Sequence, residues 1–102
     1  MRQTLLLPAE LTIYTASATR ADWLAWLNSP DLDRKSMIRI DAAPVEDVDG
    51  AGVQLLGALL RSLLEQALTW QVVAPSAALL EACRALGCPT WLTDSSQEVP
   101  SP

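Results

Sequence analysis

The sequence predicts an α/β chain built on a largely parallel sheet of four to five strands, with an opening hairpin and about three helices. Three observations carry that reading. Short apolar runs alternate with segments of helical spacing, which implies strands joined by crossover helices. The longest helical stretch, 50–67, is rich in leucine and follows a turn-like connection. Half of the 102 residues are hydrophobic and 19% are charged, enough apolar material for one core and too little length for a second.

The elements follow in order. Thr4 to Leu7 is a short apolar strand closed by Pro8, and the alternation over Leu11 to Tyr14 predicts a second strand. Pro8, Ala9 and Glu10 between them read as the turn of a hairpin. Thr19 followed by Asp22 signals a helix start, with Trp23, Leu24 and Leu27 on one face and Trp26 at its margin. Residues 28–35 are polar and contain Pro30, so a loop follows. Met37 to Ile40 reads as a strand flanked by others, and 42–49 as an acidic connection. The helix over 50–67 comes next, then a strand at Trp70 to Ala74. A helix over 76–86 has Ser76 as its cap and Gly87 as its stop. Trp91 and Leu92 form a last short strand or a terminal turn. The domain is expected over residues 1–93, with 94–102 a disordered tail. One core should unite Trp23, Leu24, Leu27, Ile38, Ile40, Leu56, Leu60, Leu63, Val72, Leu79 and Leu86.

Charge and composition exclude several functions. A formal net charge of −5 repels nucleic acid and anionic membrane surfaces, which are bound through clustered Lys and Arg. The short apolar run near Met1 is too brief for a signal peptide or a membrane span, so a cytoplasmic protein is expected. The chain has no histidine, so neither a His-based triad nor a Cys/His zinc site can be assembled. Cys83 and Cys88 read as small buried or half-buried thiols. Gly50 and Gly52 make only a G-x-G, without the third glycine or lysine of a phosphate loop. Lys35 and Ser36 are neighbours in an extended segment and point apart. No catalytic residue, cofactor or metal is therefore assigned.

Two clusters admit more than one reading. Asp41, Glu46, Asp47 and Asp49 could supply oxygens to a hard cation, but the spacing fits no EF-hand loop. A solvated acidic loop, with Asp49 at the positive end of the next helix, accounts for them. On the 50–67 helix, Val53, Leu56, Leu60, Leu63 and Leu64 centre the apolar face. Gln54, Ala58, Arg61, Ser62, Glu65 and Gln66 form the polar one. Leu55 and Leu59 lie on the flank between, either as a broadened core stripe or as a partner-binding edge.

The stretch 38–64, IRIDAAPVEDVDGAGVQLLGALLRSLL, resembles the central signature of STAS domains, the family of bacterial anti-anti-sigma factors. In that family an apolar strand ends in Asp or Asn, and D-[ST]-x-G-[LVI] then opens an apolar helix. Asp49, Gly50, Ala51, Gly52 and Val53 stand at those positions. Leu11-Thr12-Ile13 after Pro8-Ala9-Glu10 is similar to the family's early hairpin, and 76–91 to its closing helix. The resemblance implies a mixed sheet with helices mainly on one side, and a non-catalytic adaptor or regulator. Its implied binding surface is the Asp49–Gly52 loop with Val53, Leu55 and Leu59 on the following helix. Signalling members are phosphorylated on the Ser or Thr after the Asp. Gly50 occupies that place and Ala51 follows, so neither has a hydroxyl and that switch is absent. The implied partner is an anti-sigma-like kinase, an ATPase subunit of an ABC transporter, or a sensory-complex protein, with homodimerisation left open. A small-ligand binding protein, for a nucleotide or a lipid, is the alternative.

Overall fold

The structure, a computed structural model, describes residues 3–87. The element expected at Trp91 and Leu92, the tail 94–102 and Cys88 lie outside the described residues. The elements are β1 (Gln3–Leu6), β2 (Glu10–Leu11), α1 (Ala16–Leu27), β3 (Ile38–Asp41), β4 (Asp47–Val48), α2 (Gly50–Glu65), β5 (Trp70–Val73) and α3 (Ala77–Leu86).

The predicted fold class holds. β3 lies between β1 and β5 and pairs with both in parallel, while β2 and β4 form a second, two-residue parallel pair. Register aligns Leu5 with Ile40 and Val72, and Ile38 with Trp70. These side chains share one face and join Trp23 and Leu27 of α1, Leu56, Leu60 and Leu63 of α2, and Leu79 and Cys83 of α3 in one core. Between them along β1, Thr4 and Leu6 are exposed, so the helices serve one face of the sheet.

The opening hairpin is corrected. Pro8 kinks the chain without reversing it, and the first pass continues alongside the second. The Leu7 N–H donates to the Asp41 carbonyl at 3.0 Å, and the Ala9 carbonyl accepts from the Glu46 and Asp47 N–H groups at 2.8 and 3.0 Å. Proline lacks an N–H for the ladder, so the pairing breaks there and resumes at Glu10. The expected second strand stops at Leu11, and 13–15 form a turn.

The helix boundaries show which signals were local. α3 behaves as its caps dictate: the Ser76 Oγ accepts from the Leu79 N–H at 3.1 Å, and Gly87 stops the helix at φ 69. α1 starts at Ala16, about a turn before Thr19, which is buried inside the helix. Its start is set by the preceding turn, where the Thr15 N–H donates to the Thr12 carbonyl.

Four leucines depart from the expected core. Leu59 is buried at 4% exposure, whereas Leu64 is 50% exposed, because α1 packs over the Leu59 flank of α2 and widens the stripe on that side. Leu24 is 42% exposed beside the Thr19–Trp23–Leu27 stripe of α1, and Leu86, last in α3, is 55% exposed.

Candidate functional site

Asp49 organises the start of α2. It takes the extended backbone of an N-cap, and its Oδ1 accepts from the Gly52 N–H at 2.9 Å. Its Oδ2 accepts from the Ile13 N–H at 3.0 Å, across a separation of 36 residues. One carboxylate thus caps the helix and pins the β2–α1 turn to it. The Ile13 and Gly52 N–H groups, in that order, hold the Asp49 carboxyl below its ordinary value, because they stabilise the ionised form.

The pinned turn is braced from within. The Thr12 hydroxyl donates to the Glu10 carboxylate at 2.7 Å, and the Thr15 hydroxyl donates to the Glu10 carbonyl at 3.0 Å. Between these threonines, Ile13 is 64% exposed and Tyr14 is 90% exposed. An ordered turn with two large apolar side chains in solvent is not a solution to any packing need of the core.

Gly52 has a different task. A Cβ there would overlap the Leu11 carbonyl oxygen and come within 2.6 Å of its carbon, so the first turn of α2 rests directly on β2. Gly50 is open by comparison. A Cβ on it would find Leu86 Cδ1 at 3.9 Å, an ordinary contact, and its φ is not positive. The first turn is therefore bordered by exposed Ile13 and Tyr14 through the Asp49 clamp, and by exposed Leu86 of α3.

The residues singled out in the sequence divide between two places. Asp49, Gly50, Ala51 and Gly52 form the loop and first turn, where Asp49, Gly50 and Ala51 are half-buried and Gly52 is buried. Val53 points into the core at 4% exposure. Leu55, half-buried, and the buried Leu59 lie farther along α2 on a shallow groove of about 180 Å³ shared with Trp23, Leu24 and Leu27 of α1. Sequence reasoning missed Ile13, Tyr14 and Leu86 as surface residues. Apolar alternation placed the first two in a strand, and helical spacing placed the third in the core.

The acidic cluster does not converge. The Asp41 Oδ1 accepts from the Ala43 N–H at 3.0 Å, Asp49 is engaged as described, and Glu46 and Asp47 are exposed. Among the described residues no group of three or more carboxylates or thiols is placed to hold a metal ion.

With this geometry in view, comparison with known families is decisive. Residues 2–93 match the family described as "Mlab, STAS domain". The chain belongs to the STAS domain family. No curated protein and no solved structure gives a significant match. STAS domains are in general non-catalytic regulators that mediate protein–protein interactions, in anti-anti-sigma-like or transport-associated roles. In this STAS domain no helix among the described residues is long and apolar enough to cross a membrane.

Proposed function

We propose that this STAS domain is a constitutive, non-catalytic adaptor that docks on a protein partner in the cytoplasm through the Asp49–Gly52 loop and the first turn of α2. The observation that carries the reading is the exposed apolar border of that turn, Ile13, Tyr14 and Leu86, around an open Gly50. The Ile13 N–H is bonded to Asp49 and Leu86 lies beside Gly50, and exposed apolar side chains close to one ordered turn favour an interface reading. The contact residues of the loop are Asp49, Gly50 and Ala51. Gly52 and Val53 hold the turn against β2 and the core, and Leu55 extends the accessible edge toward α1.

Gly50 and Ala51 have no hydroxyl, so the docking is not switched by phosphate on either residue. The partner is an ATPase subunit of a transporter, a sensory-complex protein or an anti-sigma-like kinase, and the identity of the captured protein sorts these assignments.

The test uses a partner recovered with the tagged full chain and purified, with binding followed by calorimetry and folding by thermal melt. Gly50→Asp should weaken binding by about tenfold or more, because a carboxylate at a contact loses water without a waiting cation. Its melt should match the parent's, since the site has room for a side chain and a helix N-terminus favours negative charge. Gly50→Ala, the uncharged control, should bind nearly as the parent does. Equal binding by Gly50→Asp and the parent would move the interface elsewhere.

A further inference from the structure

The apolar border of α2 has an acidic neighbour built into the fold. Parallel pairing of β2 with β4 sets Glu10 directly beside Asp47, and both side chains are exposed. Register partners on parallel strands project to the same side, so both side chains leave the strand pair on one side, with exposed Glu46 next in the chain. The Thr12 hydroxyl fixes the Glu10 carboxylate at 2.7 Å, at the foot of the turn that presents Ile13 and Tyr14.

Like charges set opposite one another weaken a strand pair. The Thr12 hydroxyl is a neutral donor to Glu10, and among the described residues neither carboxylate has a cationic partner; Arg84 near the end of α3 does not supply one. Asp49 differs in being used by two backbone N–H groups. The strand pair therefore presents two exposed carboxylates on one side, a surface that favours positive charge from a partner. The carboxylates are not grouped to hold a metal ion.

We propose that the docking surface takes a partner segment that is apolar at its centre and basic at its rim. The apolar side chains seat on Ile13, Tyr14 and Leu86, and Lys or Arg side chains meet Glu10 and Asp47. This rests on the docking site proposed above and names the chemistry of its occupant. Charge complementarity of this kind steers encounter and sets register more than it adds affinity.

The experiment titrates the isotope-labelled full chain with two helical peptides of identical leucine pattern, one flanked by lysines and the other by glutamates. The lysine-flanked peptide should bind and shift the amide signals of Ile13, Tyr14, Gly50, Ala51 and Leu86, with affinity falling as salt rises. The glutamate-flanked peptide should bind far more weakly. Replacing Glu10→Gln together with Asp47→Asn should weaken the lysine-flanked peptide about fivefold, the scale of two exposed ion pairs. Removing the same charge at Asp31→Asn and Glu65→Gln should leave its affinity nearly unchanged. Equal binding of both peptides at those amides, or equal losses in the two charge-removed pairs, would overturn the basic rim while leaving the docking surface in place. Binding that shifts none of those amides, or that survives Ile13→Ser with Leu86→Ser, would remove the surface itself. No binding by either peptide would overturn the proposal.

Discussion

The two ends of α2 are finished in opposite ways. At the C-terminal end the Leu68 N–H donates to the Leu63 carbonyl at 2.9 Å and the Ala67 N–H to the Leu64 carbonyl at 3.0 Å, a Schellman closure with Ala67 at φ 58. Leu68 turns into the core at 4% exposure. Arg34 then ties the outside, donating to the Gln66 Oε1 at 2.7 Å and to the Leu27 carbonyl at 3.1 Å. The N-terminal end is equally well bonded, through both Asp49 oxygens, yet it holds Ile13 and Tyr14 outward. The C-terminal end leaves out the single leucine Leu64, which requires no explanation. The contrast shows that exposure at the N-terminal end is not a failure of local order. Hydrogen bonds that could have closed the turn inward instead fix it in solvent.

The N-terminal end of α2 is most sensitive at Gly52. Gly52→Ala forces a methyl group into the Leu11 backbone, which no rotamer can relieve, and should cost about 3 kcal/mol in denaturant unfolding. A near-neutral result would mean that the first turn does not rest on β2. Asp49→Ala should have a smaller effect, lowering the melting temperature and speeding hydrogen exchange at the Ile13 amide. Its acid dependence carries a sign. A carboxyl held below its ordinary value contributes stability above about pH 4, and loses it as pH falls through the folded value. The acid-side decline should accordingly be shallower in Asp49→Ala than in the parent. Asp33, lowered first by the Ser36 hydroxyl and then by the Lys35 N–H, contributes the same direction in both. The smallest change sharpens the other end: Ala67→Gly should raise stability by about 0.5–1 kcal/mol, because glycine enters positive φ without the Cβ penalty.

What could be seen in the sequence was what is decided locally. The Ser76 cap, the Gly87 stop and the alternation of strands with helices depend on side-chain chemistry within a few residues, and they appear as read. The opening hairpin failed because Pro8 signals an interruption without saying whether the chain reverses. That is settled by pairing with Asp41 and Asp47, more than thirty residues away. The exchange of Leu59 for Leu64 in the core has the same origin, since one helix cannot reveal which flank its neighbour covers. In the site, Asp49 was legible as a charge at the positive end of a helix, while its side-chain cap on Gly52 came from the structure. Its second bond, to Ile13, was not legible either, and with it went the exposure of the turn. Gly52 was visible as half of a G-x-G and as part of a family motif, and its contact with Leu11 supplies the physical reason for the glycine.

One carboxylate, Asp49, holds the exposed turn to the start of α2, and the site depends on this clamp. It is tested most directly by following the Asp49 carboxyl carbon and the Ile13 and Gly52 amide protons by NMR through an acid titration. A single shared inflection below the ordinary aspartate value is expected, with both amides moving as the carboxylate is protonated. An Asp49 inflection at the ordinary value, with the Ile13 amide indifferent to it, would contradict the clamp and the site built on it.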